Sequence, residues 1–473
     1  MIKYLFGSKG RWDTTLISDV CKNSDKHIFV CAGQGDPEVV NQLIKEYDEV
    51  VVFITSDEER KFRFSKLTHN NIVLGVQYAY GVPYFLVGYT PHVKKYSMTH
   101  KPVTERNYKL SFVGQTNTKR RKQIRNLKID GKFVFTDGFA KGLNTDEYCD
   151  IVANSHFVLC PPGNVHNDTF RIWEALELGA IPILDLCDSQ GNYNKKWERL
   201  NILGLPTFRE FDEIPNILDK YSDNMWRVYF KAKWIRFKST LKQRLSGKAY
   251  DTSILFSTSP IPSFPDMSIP LETIKSLPNY PLYLMFDGVR KQQNHMRNSY
   301  YEYAENLLHH LSWKFNVFPF VFTEHKHQIG VTREVINHIQ TPYLLFVEHD
   351  TPLVGNIDWK TIKQFKSDVV RFHYEDKIPK EHEYLMRGFD DSQFLRTVQW
   401  SQRPHIARTD FYREMLRLFP KNANCFIEDY IYGIALRRND WKIHIYHPKG
   451  SIKRSTHLDG RQGCDKFENK QIW

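Results

Sequence analysis

The chain has 473 residues, 41% hydrophobic and 14% aromatic, which is too long for one ordinary domain and rich enough for real cores, so global disorder is excluded. Its formal charge is +12 and its mean hydropathy −0.51, with no apolar run approaching the roughly 18 residues of a membrane span. Residues 1–250 carry 37 Lys and Arg against 28 Asp and Glu, and the rest 29 against 26, so the excess is concentrated in the N-terminal half.

The opening MIKYLFGSKGRW reads as a strand entering a glycine turn rather than a signal peptide. Seven cysteines (Cys21, Cys31, Cys149, Cys160, Cys187, Cys425, Cys464) are widely spaced with no CxxC pair, which argues against a disulfide scaffold and a zinc ribbon. The expectation is a reduced, cytoplasmic α/β protein.

Further along, apolar runs at 27–33, 49–56, 108–114, 156–163 and 180–186 read as strands, separated by helical stretches such as PEVVNQLIKEY and DTFRIWEALELG. That alternation predicts parallel sheets with crossover helices, in two Rossmann-like halves that divide near residue 100. Residues 226–248 hold eight basic side chains and no acid, with Trp226, Phe230, Trp234 and Phe237 recurring at helical spacing. Such a stripe packs on its own domain, lies on a membrane surface or faces nucleic acid; charge alone does not choose. A break after Ser246, Gly247 and Lys248 starts a second α/β module at 249–473, opening SILFSTS before a proline-rich loop.

In the second module, the strand 343–347 delivers Glu348, His349 and Asp350 at its C-terminal end, where open α/β sheets bind ligands. Two carboxylates at i and i+2 can approach a hard divalent cation. Taken singly, such a turn is ordinary solvated loop. The run resembles the acidic Asp-x-Asp element of GT-A glycosyltransferases, here as Glu-x-Asp. The resemblance implies a Mn2+ or Mg2+ ion on Glu348 and Asp350, with His457 of RSTHLDGR as a late ligand. It further implies donor contacts from Arg333 and from Asp287, and a catalytic base drawn from Glu428 and Asp429 in CFIEDYIYGIAL.

In the first module, residues 155–186 run strand, proline-glycine loop, helix, strand. A helix N-terminus facing a loop favours an anion, and Arg171 and Glu174 share one helical face. This arrangement resembles the donor-binding region of exostosin-like glycosyltransferases of GT-B fold, and a similar pattern occurs in the phage β-glucosyltransferase of hydroxymethylated DNA. The resemblance implies metal-free donor binding through Arg171, Glu174, Asn167 and Gly163, extended by Arg120 and Arg125. Pro182 stands eight residues after Glu174, so the Glu-x7-Glu pattern of retaining GT-B enzymes is absent, which tilts the reading toward inversion. Asp13 and His92 are the candidates for a base in the first half. Together these features predict a bifunctional glycosyltransferase using nucleotide-sugar donors and a glycan acceptor, without a membrane anchor. The alternatives are a phage enzyme acting on DNA and a sugar- or nucleotide-binding scaffold. A bacterial or virus-infected cytosol would be its place, with membrane contact at most peripheral.

Overall fold

The computed structural model describes residues 1–79, 83–138, 141–258, 267–450 and 452–458; Cys464 and the proline-rich loop at 259–266 lie outside them. The chain divides into two compact units, Met1–Lys248 and Ala249–Trp473.

The first unit contains two parallel sheets. One sets Ile2–Leu5, His27–Ala32, Val50–Thr55 and Ile72–Val76 side by side in chain order. The other runs Lys132–Phe135, Tyr108–Gly114, Ser155–Cys160, Ile181–Asp185 and Thr207–Phe208, also all parallel. Parallel strands are covered on both faces, so they read as continuous apolar runs rather than alternating ones. Val50–Thr55 is buried at every position. Its alternate residues serve two cores: Val51 and Phe53 join the helix Thr15–Cys21, while Val50, Val52 and Ile54 join the helix Pro37–Ile44. The α/β class read from the sequence is the class the chain adopts.

The basic segment is the helix Asn224–Ser246, begun by the Asp223 carboxylate on the Met225 N–H (2.8 Å) and ended by Gly247 at φ +68°. Trp234 is fully buried and stacks on Trp173 at 5.2 Å, so the aromatic stripe belongs to the unit's own core. This helix packs on Thr15–Cys21 of the first half and on Phe170–Glu177 of the second. Among the described residues no helix is long and apolar enough to cross a membrane.

The second unit is built on a nine-stranded mixed sheet. Its parallel part is ordered Val317–Val321, Leu282–Phe286, Thr252–Thr258, Tyr343–Glu348. The chain therefore builds outward in one direction and then returns to the other side of Thr252–Thr258, which makes a switch point at the C-terminal ends of Thr252–Thr258 and Tyr343–Glu348. Beyond it come His405–Arg408, Val369–Arg371, Ile443–Tyr446, Phe394–Thr397 and Met386–Asp391. The strand His405–Arg408 runs antiparallel to both its neighbours.

Candidate functional site

In the first unit a cavity of about 730 Å³ opens at the C-terminal ends of Tyr108–Gly114 and Ser155–Cys160 and at the start of the helix Phe170–Glu177. Its wall from the first half includes Trp12, Glu58, Tyr78 and Thr90, and from the second Arg121, Gly163, Thr169, Arg171 and Glu174. Arg171 donates through Nη2 to the Val113 carbonyl (2.6 Å) and lies over the Phe112 ring at 4.8 Å. Its buried Nε has no hydrogen-bond partner among the described residues, nor has the Thr169 hydroxyl. Buried donors left unpaired by the protein call for an acceptor from outside it, a water or a ligand oxygen.

Arg121 stands beside it, its Nε on the Pro162 carbonyl (2.7 Å). Burial and the neighbouring Arg171 charge push the Arg121 guanidinium down to about 9. Two guanidinium groups brought together in a largely buried wall repel each other until an anion arrives. Glu174 is buried and accepts from the Thr90 hydroxyl (2.8 Å) and the Tyr148 hydroxyl (2.6 Å); burial raises its carboxyl. Its neighbour Asp168 accepts from Tyr84, the Val87 N–H and the Trp173 indole, and burial lifts it to about 6. Asp168 thereby ties the loop that begins the Phe170–Glu177 helix to the first half.

Several expected donor residues have other work. Arg120 is 3% exposed and forms a bidentate ion pair with Asp185 (2.8 and 3.1 Å) while lying over the Phe211 ring, so its cation is consumed inside the fold. Arg125 donates to the Thr116 hydroxyl and covers Phe135, away from the cavity wall. Asn167 spends its amide on the Asp185 and Cys187 carbonyls, fixing the loop rather than facing the cavity. Gly163 does line the cavity, and a Cβ there would meet the His166 carbonyl oxygen at 2.9 Å. His92 also lies on the cavity wall. Arg121, Tyr148 and Thr90 escaped the sequence reading; only the basic run around Arg120 pointed near them.

In the second unit the switch point gathers another set. Glu348 accepts from the Gln328 amide (3.2 Å), which also bonds Gln402, while the Gln328 oxygen accepts from the Ile427 N–H (2.9 Å). Gln328 thus joins the acidic turn to the helix Ile427–Ala435 that carries Glu428 and Asp429. Asp350 is 2% exposed, with His457 Nε2 at 3.4 Å and His349 Nε2 at 3.8 Å. Among the described residues no group of three or more His, Cys, Asp and Glu is disposed to hold a metal, so the three expected ligands do not converge as they stand.

Asp287 is turned to the backbone: its carboxylate accepts from the Lys326 and His327 N–H groups at 2.8 and 2.9 Å and contacts His325. Arg333 is a correction. Its guanidinium is filled by the carbonyls of Leu416, Phe419, Pro420 and Lys421, closing the end of the helix Thr409–Arg417 rather than meeting a donor. Asp429 accepts from the Phe426 N–H (2.9 Å) as a helix cap, and Glu428 is raised by partial enclosure and the adjacent Asp429 charge.

Residues 91–246, about a third of the chain, match the family model described as the RXYLT1 C-terminal domain, an exostosin-like glycosyltransferase domain. Among curated proteins no relative matches the chain. Solved structures give weak similarity. Residues 1–349 of S. aureus TarS share 13% identity at a TM-score of 0.31, covering 44% of this chain and 60% of that one. The same TarS segment in complex with UDP-GlcNAc shares 14% identity at a TM-score of 0.27, covering 44% of this chain and 58% of that one. The chain thus spans less than two thirds of these structures, and at such scores the likeness carries no weight for fold or activity.

Proposed function

We propose that the first unit is a glycosyltransferase that binds a nucleotide-sugar donor in the 730 Å³ cavity. The observation that carries this reading is the pairing of Arg121 with Arg171, whose buried Nε lacks a partner among the described residues, inside residues matched to a glycosyltransferase domain. When the bond from anomeric carbon to phosphate breaks, negative charge grows on the diphosphate. Two guanidinium groups and the unpaired Thr169 hydroxyl at the helix start stabilise that charge without rearranging. Glu174, held by Thr90 and Tyr148, offers a fixed acceptor for donor hydroxyls. Inversion follows if the acceptor attacks from the face opposite the diphosphate.

We infer a second transfer site at the switch point of the second unit, supported by the meeting of the Glu348–Asp350 turn with the Glu428 helix through Gln328. Asp350 and His457 would hold a Mn2+ or Mg2+ ion there, with Glu348 beside them, and the ion would neutralise a donor diphosphate. Asp429 or Glu428 would take the acceptor proton.

Release of nucleoside diphosphate from a panel of sugar nucleotides, with manganese and with EDTA, tests both. Donors consumed in EDTA report the first unit and donors consumed only with metal the second. A wild-type chain that binds no nucleotide sugar overturns the reading.

A further inference from the structure

The donor cavity has a neighbour. A second cavity of about 720 Å³ lies at the C-terminal ends of Ile2–Leu5, His27–Ala32 and Val50–Thr55. Trp12, Glu58, Tyr78, Val165 and Phe170 line both, so the two are contiguous.

Asp13 is the group in this second cavity that the fold leaves unfinished. It is 5% exposed; its Oδ2 accepts from the Ser56 hydroxyl at 2.6 Å, and its Oδ1 has no hydrogen-bond partner among the described residues. A buried carboxylate oxygen without a donor is costly and persists where a ligand completes it. Asp57, by contrast, is spent on the Lys61 and Phe62 N–H groups at 2.7 and 3.1 Å. The backbone around Asp13 is held under strain: Ser56 at φ +53° and Tyr78 at φ +60° both sit in the left-handed region that non-glycine residues avoid. Burial raises the Asp13 carboxyl against the pull of the Ser56 hydroxyl and N–H, of Arg11 and of its own backbone N–H, which brings it nearer the basicity that proton abstraction requires.

The charge of the lining selects the ligand. Asp13, Asp57, Glu58 and Glu59 face Arg11 and Lys61, and Lys61 is already paired with Glu59. Such a wall repels a phosphate backbone. Trp12, 36% exposed, offers an apolar plate against which the C–H face of a sugar ring lies flat.

Resting on the donor reading above, we propose that this second cavity is the acceptor site of the first unit, that it takes an uncharged polyhydroxylated ring stacked on Trp12, and that Asp13 is the base. The acceptor hydroxyl gives its proton to Asp13 Oδ1 as its oxygen bonds the anomeric carbon. The bond from that carbon to the diphosphate oxygen breaks, and its electron pair leaves on the diphosphate held by Arg171 and Arg121.

The test uses the full chain in EDTA, where the first unit alone is read. Asp13→Asn and Trp12→Ala are compared with wild type in donor binding by calorimetry, in melting temperature, and in turnover with neutral saccharides or hydroxymethylated duplex DNA as acceptor. Asp13→Asn is expected to bind donor within twofold of wild type and to lose transfer about 100-fold or more. Trp12→Ala is expected to raise the KM for saccharide about tenfold with a smaller change in kcat. If wild type binds and turns over donor while folded Asp13→Asn keeps more than a tenth of that rate, Asp13 is not the base. Turnover on duplex DNA matching that on saccharide overturns the acceptor class. A wild type that binds no sugar nucleotide overturns the donor reading, and this one with it.

Discussion

Arg120 and Arg121 are adjacent in sequence and opposite in role. In the short helix Lys119–Lys122 successive side chains point about 100° apart, so one guanidinium enters the protein and the other faces the cavity. The sequence shows the basic run but not its phase, because four residues carry no periodicity to fix it. Replacing Arg120 by alanine strands Asp185 without its partner and is expected to cost about 3–5 kcal/mol in chemical denaturation, leaving donor affinity of the folded protein unchanged. Arg121→Ala and Arg171→Ala should weaken donor binding roughly 10- to 100-fold, as loss of one charged hydrogen bond predicts, and cost only about 1–3 kcal/mol of stability through the Pro162 and Val113 carbonyls left unpaired. Equal losses of donor affinity in Arg120→Ala and Arg121→Ala would refute this division. Arg333 fails as a donor residue for a related reason: the four carbonyls that fill it lie more than eighty positions downstream, beyond the reach of any local pattern.

At the scale of elements, the inner strands of the first unit were legible because parallel strands bury both faces and leave continuous apolar runs, as in Val50–Thr55 and Ile181–Asp185, whereas the edge strands Ile72–Val76, Lys132–Phe135 and Thr207–Phe208 were not. The short strands Val369–Arg371, His405–Arg408 and Ile443–Tyr446 were not, since three or four residues give no period and their pairing is set by distant neighbours. The helix Asn224–Ser246 was legible as a helix and its aromatic stripe as a stripe, yet the sequence left its partner open. Its lysines explain why. Lys238 reaches the Glu177 carboxylate at 2.9 and 2.7 Å, Lys231 bonds the Glu177 carbonyl, and Trp234 donates to the same carboxylate at 2.6 Å. Burial alone would raise Glu177, but the Lys238 and Lys231 charges outweigh it and hold the carboxyl at about 2, below its ordinary 4.5. Because the folded value is the lower one, this stabilisation is present above pH 4.5 and is lost as pH falls toward 2. Glu177→Ala should destabilise the first unit by about 3–5 kcal/mol at neutral pH and should flatten its acid unfolding profile. A pH profile identical to wild type would show the cluster to be energetically idle.

For the molecule as a whole, each unit has its own core: one set of buried side chains runs from Leu16 to Leu245, another from Leu255 to Ile443. A chain ended after Lys248 is therefore expected to unfold cooperatively and to bind donor with the affinity of the full protein, in EDTA as in manganese. Loss of donor binding in that fragment would refute the assignment of the donor site to the first unit. Donor turnover by residues 249–473, in turn, should vanish with EDTA and return with manganese.

The helix Asn224–Ser246 also sets an order in time. Its last residues return to the start of the chain, where the Ser246 carbonyl accepts from the Asp25 N–H at 3.1 Å and the Leu245 carbonyl from the Ser24 hydroxyl. A ribosome delivers the N-terminal sheet first and this clasp some 220 residues later, at about 5–20 residues per second. The start of the chain must therefore wait roughly ten to forty seconds, by that rate, before the strap that closes on it exists. A premature stop or a proteolytic cut just before Asn224 removes no residue of either cavity wall, yet it deprives both halves of the segment packed across them.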